Sequence, residues 1–392
     1  MQQTLQQIPI AKPILDEREV EAVRSVILSG WVTQGPEVAA FECEFAAYIG
    51  AAYACAVSNC TTALHLALLA VGVSPGDEVV TVSHSFIATA NAVRYCGARP
   101  VFVDIEPGTY NMDPSLVEPA LTKRTKAILC VHQLGMPCDL QRIVEIGRRH
   151  GIPVIEDAAC ASGSEILWNE RWEKIGRPHG DIACFSFHPR KVITTGDGGM
   201  ITTAVPELDR KCRLWRQHSM SVPDTVRHGA REVIFESYPE LGFNFRMTDM
   251  QAAVGRIQLT RLPAIVDDRR RIADEYSTRL SAIDGVTVPL EPSWARTNWQ
   301  SYCVELPESC DQRVVMQRML DGGISTRRGV MNAHLEQPFR SETDRAPLPR
   351  SERMQRCGIM LPLVPSMSTC QVQDVCDSLA AALQPVAERR GA

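Results

Sequence analysis

The chain is poor in features that mark several protein classes. No uninterrupted apolar run reaches membrane-spanning length, so no spanning helix is expected. The first residues, MQQTLQQIPIAKPILDEREV, lack a basic stretch followed by an apolar one, which argues against a secretory signal. No C-x-x-C pair and no even framework occurs among the 14 cysteines, and most lie inside apolar runs, as Cys130 does in AILCVH and Cys184 in IACFSF. They read as buried, reduced thiols of a cytoplasmic protein, with no metal site. Basic residues (41 Lys+Arg) are scattered and the net charge is −5, so no nucleic-acid partner is expected. Repeats and low-complexity linkers are also missing.

What is present is an ordinary globular composition, 45% hydrophobic and 22% charged. Short apolar runs alternate with helical patterns: strands at Tyr53–Ser58, Glu78–Val82, Pro100–Asp104, Ala127–His132 and Pro153–Glu156, helices at Thr61–Ala70, Ala88–Cys96, Pro114–Leu121 and Leu140–His150. Strands separated by helices of this length imply crossover units and a mostly parallel sheet covered on both faces. A charged helical stretch from about Asp249 to Leu280, broken at Pro263, then leads to a smaller mixed unit. That unit has a strand near Gln300–Leu306, a polar surface loop at Arg340–Arg353 and a closing helix from about Cys370 to Ala387.

The segment DIACFSFHPRKVITTGDGGMITT places Lys191 between two buried strands, Ile182–Phe187 and Met200–Thr203. A lysine alone reads as a solvated turn residue. A phosphate loop is excluded, because its glycines precede the lysine, whereas here they follow it. A third reading is a lysine that forms a Schiff base with a carbonyl cofactor; it calls for a partly dry site that lowers the amine's pKa. That reading predicts an acid for a pyridinium nitrogen and a helix N-terminus for a phosphate. Asp157 ends the apolar strand in PVIEDAACASGSE, at the carboxyl end where open α/β sheets bind ligands. The stretch VSNCTTALHLALLA is a strand, a polar turn and a helix start, an anion site if it is more than an N-cap.

Taken together, these segments resemble the DegT/DnrJ/EryC1/StrS family of pyridoxal-phosphate (PLP) sugar aminotransferases. SGWVTQGPEVAAFE, SNCTTALHLAL, SFIATANAV, PVFVDIEPGTYNMDP, EDAA, CFSFHPRKVITTGDGGM, RQHSMS and GFNFRMTDMQAAVGRIQL all carry the resemblance, across nearly the whole chain. It implies the aspartate-aminotransferase-like α/β fold (fold type I). That fold has a large domain, expected at 1–255, with a mixed, mostly parallel seven-stranded sheet, and a smaller C-terminal α/β domain at 256–392. By the same resemblance Lys191 is the Schiff-base lysine and proton carrier, and Asp157 pairs with the pyridinium nitrogen. Thr61, Thr62 and Ser186 hold the phosphate, and Phe86 stacks on the ring, a buried core phenylalanine being the alternative. Asn244 first, then Arg246, reaches the phosphate from the partner subunit of a homodimer with shared active sites.

Two departures from the family pattern stand out. Cys160 occupies the position after EDAA where His or Gln is usual, a weaker hydrogen-bonding group near the cofactor's phenolic oxygen. Ser219 in RQHSMS replaces a usual glycine. The implied reaction moves an amino group from glutamate to a nucleotide-linked keto-deoxysugar, a 4-keto-6-deoxyhexose first, by a ping-pong mechanism. A keto-cyclitol or another natural-product ketone is the alternative acceptor, and a PLP-binding regulator without turnover the alternative class.

Overall fold

The computed structural model describes residues 7–223, 226–227, 230–342 and 346–384. Nine strands form in the first part of the chain. They are β1 (Tyr53–Val57), β2 (Glu78–Val82), β3 (Arg99–Val103), β4 (Thr125–Val131), β5 (Val154–Asp157), β6 (Glu165–Trp168), β7 (Arg171–Lys174), β8 (Ile182–Ser186) and β9 (Gly199–Thr203). Seven of them make one sheet in the order β1-β9-β8-β5-β4-β2-β3. Neighbours from β8 to β3 run parallel, and β9 is antiparallel to both β8 and β1. The mixed, mostly parallel seven-stranded sheet is thus as expected.

Alternation along each strand divides the core in two. Ala183 and Phe185 of β8 join Ala54, Val80 and Ile128 on one face, whereas Ile182 and Cys184 join Cys55, Leu129 and Ile155 on the other. Strands apolar on both faces are what a sheet covered by helices on both sides requires. The helix Pro36–Ile49 packs Phe41 and Phe45 on the first face, and the helix Cys60–Ala70 packs Leu64 and Leu68 on the second.

β6 and β7 form a hairpin whose two turn residues, Asn169 and Glu170, both have positive φ, 46° and 65°. A short β10 (Ala295–Arg296) pairs with β6. β11 (Tyr302–Glu305), β12 (Arg327–Arg328) and β13 (Gly358–Leu361) make a three-stranded antiparallel sheet. This sheet shares a second core with the closing helix Thr369–Leu383.

Three expectations need comment. The helix Asp249–Leu280 is continuous and carries Pro263 inside it rather than breaking there. Leu259, Leu262, Ile265 and Val266 are packed into the first core around that proline, and this burial offsets the lost N–H bond. The polar stretch Arg340–Arg353 is not all loop, because Pro349 occupies the first turn of a helix, Pro349–Cys357, where its missing N–H costs nothing. The closing helix ends at Leu383; the remainder of its expected span, to Ala387, reaches residues outside those described.

Candidate functional site

The site forms where β5, β8 and the helix Cys60–Ala70 meet. The Cys184 carbonyl on β8 accepts from the Ala158 amide at 2.9 Å, and the Cys60 thiol lies 3.6 Å from it. One carbonyl therefore ties the loop after Asp157 to the helix start.

That helix start has the character of an anion site. Asn59 caps it, its side chain accepting from the Thr62 amide at 2.9 Å. The amides of Cys60 and Thr61 have no acceptor among the described residues. Thr62 Oγ1 is engaged locally, donating to the Asn59 carbonyl at 2.7 Å. Ser186, buried at the end of β8, lies 3.4 Å through its Oγ from the His188 amide. The turn Gly196–Gly199 is glycine-rich for steric reasons. Gly196 has φ +83°, and a Cβ on Gly199 would meet the Asn59 carbonyl carbon at 2.5 Å. β9 thus starts directly beneath the helix start.

Lys191 is partly buried, and its Nζ donates to Cys160 Sγ at 3.0 Å. Gln300 Nε2 holds the neighbouring Arg190 carbonyl at 2.7 Å, while Asn298 Nδ2 holds the Cys160 carbonyl at 2.8 Å. Residues before β11 thus fix both sides of the lysine–cysteine pair. Burial pushes the Lys191 pKa down, but the Cys160 sulfur and the Asp157 carboxylate push harder the other way, and the net direction is up. This corrects the expected lowering. An amine among acceptors is stabilised as ammonium, whatever its dryness.

Asp157 is buried at the end of β5. Its Oδ1 accepts from the Ala159 amide at 3.1 Å and its Oδ2 from Thr89 Oγ1 at 2.8 Å. Burial raises the carboxyl pKa; the Thr89 and Ala159 hydrogen bonds and the charges of Lys191 and His132 oppose it without cancelling it.

Phe86 is 63% exposed, so the core alternative fails, and its ring is open to a ligand. Around Asn244 the extended run alternates as expected. Phe243 and Phe245 stack on each other at 4.8 Å and face His65, whereas Asn244 is exposed on the other side. Sequence distance proves a poor guide here. The Phe245 carbonyl accepts from the Ser58 amide at 2.8 Å, so the run lies beside the helix start of its own chain. Ser219 is fully buried at φ 57°, and its hydroxyl has no partner among the described residues. A left-handed backbone is one that glycine adopts at lower cost than serine.

Thr89, Asn298 and Gln300 are the residues that sequence reading missed. Thr89 stands in the quoted SFIATANAV, yet nothing in its pattern shows that its helix meets Asp157. Asn298 and Gln300 come from a segment remote in sequence. Among the described residues no cluster of His, Cys, Asp or Glu is arranged to hold a metal, and no helix is long and apolar enough to cross a membrane.

A lysine and a buried carboxylate beside a helix start, at the carboxyl ends of a doubly covered sheet, define a PLP-dependent aminotransferase of fold type I. The model of the DegT/DnrJ/EryC1/StrS aminotransferase family matches residues 13–380, and the chain belongs to that family. It is 36% identical over 379 residues to spore coat polysaccharide biosynthesis protein SpsC of Bacillus subtilis (strain 168), covering 95% of this chain and 96% of that protein. It is 41% identical over 339 residues to GDP-perosamine synthase of Caulobacter vibrioides, covering 86% and 87%. The crystal structure of DesV from S. venezuelae in complex with a ketimine intermediate superposes with a TM-score of 0.87 at 32% identity, covering 97% of this chain and all (100%) of that one.

Proposed function

We propose that this aminotransferase takes its amino group from glutamate and delivers it to a nucleotide-linked keto-deoxysugar, a 4-keto-6-deoxyhexose first, in ping-pong order. The observation that carries the reading is the convergence of Lys191, Asp157 and the open helix start. The names of the relatives support a sugar acceptor, since one is a GDP-perosamine synthase and another serves spore coat polysaccharide biosynthesis.

The residues present fit PLP. When bound, PLP supplies a carbonyl that captures amines and a ring that stabilises negative charge on the adjoining carbon. Lys191 bonds the cofactor and, when released, carries the proton to and from that carbon. Asp157 keeps the ring nitrogen protonated. Thr61, Thr62, Ser186 and the amides of Cys60 and Thr61 hold the phosphate, Phe86 covers the ring, and Cys160 stands by the phenolic oxygen. Asn244 and Arg246 complete the phosphate site from a partner subunit. Val233, Phe235 and Leu241, all highly exposed just before that run, support a homodimer whose second copy covers them.

We also propose the division at 255/256. The helix across it serves both cores, with Leu259 to Val266 in the first and Ile272 to Leu280 in the second. The free cysteines support a reducing, cytoplasmic location.

The test is incubation with glutamate and a panel of keto-sugar nucleotides, read by mass spectrometry. An amino group in place of the carbonyl oxygen on one sugar, with 2-oxoglutarate released, is expected. Turnover of glutamate with no sugar accepted would redirect the acceptor to a keto-cyclitol or another ketone. No glutamate half-reaction at all would overturn the donor assignment.

A further inference from the structure

Asp157 does not stand alone. Its Oδ2 receives the Thr89 hydroxyl at 2.8 Å, and Thr89 Oγ1 lies 2.7 Å from Ser85 Oγ. All three side chains are buried. Thr89 has one hydroxyl proton and spends it on the carboxylate, so the Ser85 hydroxyl donates to Thr89. The chain Ser85→Thr89→Asp157 is therefore directed, each bond polarising the next toward the negative charge.

Its far end is anchored. Ser83 Oγ lies 2.6 Å from His334 Nδ1, and the Ala333 amide donates to the Ser83 carbonyl at 2.9 Å. His84 Nδ1 lies 3.2 Å from Asn332 Oδ1, and the Gln133 side-chain amide donates to the His84 carbonyl. The turn that carries Ser85 is thus clamped by residues 332–334 and by the end of β4. Thr89 in turn sits in the first turn of the helix Ala88–Tyr95.

We propose that Thr89, backed by Ser85, is a positioning residue that keeps Asp157 ionised and aimed at the ring nitrogen of the cofactor. The physical need is clear. Burial drives this carboxyl toward its neutral form, which cannot hold a pyridinium proton. One oxygen is fixed by the Ala159 amide and the other by Thr89, so the remaining lone pairs have a set direction. Other ionisable groups face Asp157: Lys191 after β8, His132 at the end of β4, Cys60 at the helix start and Cys184 on β8. Lys191 and His132 stay in place when Thr89 is changed, and the Lys191 ammonium continues to stabilise the carboxylate. The loss of its hydroxyl is therefore separable from theirs.

This inference rests on the assignment of Asp157 to the ring nitrogen, so the experiment carries an arm for each. Apo protein is titrated with PLP across a pH series, with absorbance as the readout and melting of each apo variant as the folding check. Thr89→Val is expected to weaken PLP binding about tenfold or more, the worth of a hydrogen bond to a charged group. Its acid limb is expected at higher pH, because the carboxylate protonates sooner. Thr89→Ser is expected within about twofold of wild type, and Ser85→Ala to shift the same way as Thr89→Val but less. If Thr89→Val does not fold, the Ser85→Ala shift decides. Binding and acid limb unmoved in Thr89→Val, or Thr89→Ser as impaired as Thr89→Val, overturns the proposal. Asp157→Asn with wild-type PLP binding instead overturns the assignment of Asp157 itself.

Discussion

Lys191 Nζ donates to Cys160 Sγ at 3.0 Å. The sulfur is among the groups that push the free amine's pKa upward against burial. An amine must be neutral to attack the PLP carbonyl. Cys160→Ala is therefore expected to lower the Lys191 pKa, so recombination of apo protein with PLP reaches its full rate at lower pH than in wild type. Stopped-flow recombination rates over a pH series check this. An unmoved profile would mean that the sulfur does not control the lysine.

Ser219 holds a left-handed backbone at φ 57° and buries a hydroxyl without a partner among the described residues. Ser219→Gly relieves both and is expected to stabilise the protein by about 1–2 kcal/mol. Ser219→Ala removes only the hydroxyl and should gain less, because the backbone strain stays. Urea denaturation of the three proteins measures the order. Glycine no better than alanine would show that the backbone is not strained.

Glu42 is buried between the guanidinium groups of Arg213 and Arg216, and also accepts from the Ala56 amide at 2.8 Å. Burial pushes its carboxyl up, yet the attraction of Arg216 and Arg213 prevails and holds it below its ordinary value of 4.5. A carboxyl depressed in the folded state stabilises fully above its unfolded pKa, and that contribution is lost as pH falls toward the folded one. Glu42→Gln leaves Arg216 without its anion and is expected to cost about 3–5 kcal/mol at neutral pH. The gap between the variant and wild type should shrink below about pH 4.5. A gap that stays constant on acidification would place the effect in packing rather than charge.

The shared-site proposal has its own test, sharpened by the contact of Phe245 with Ser58 in one chain. Inactive Lys191→Ala and an inactive Asn244→Ala/Arg246→Ala double variant are mixed under conditions of demonstrated subunit exchange. Restored activity is expected, because a mixed dimer has one site with both sets intact. No complementation would place both sets in the same chain.

Much of this site was legible because its chemistry is local in sequence. Lys191 with its glycine turn, Asp157 at a strand end and the helix start at Cys60 each announce themselves within a few residues. The strand Glu78–Val82 and the helix Leu140–His150 were readable to the residue, from a short run rich in β-branched residues and from a strong 3.6 period. Pro263 misled, because burial on the first core outweighs a local helix breaker. The direction of the Lys191 pKa misled for a related reason. Dryness can be guessed from apolar neighbours, but the acceptors that surround an amine come from elsewhere in the chain. Thr89 and Asn298 were invisible on the same ground, since each gains its role only when separate segments pack.

Chemical trapping tests whether Lys191 bonds PLP. Holoenzyme is reduced with borohydride, digested and mapped by mass spectrometry. A pyridoxyl group on Lys191 is expected. The group on another lysine, or on none, would contradict it.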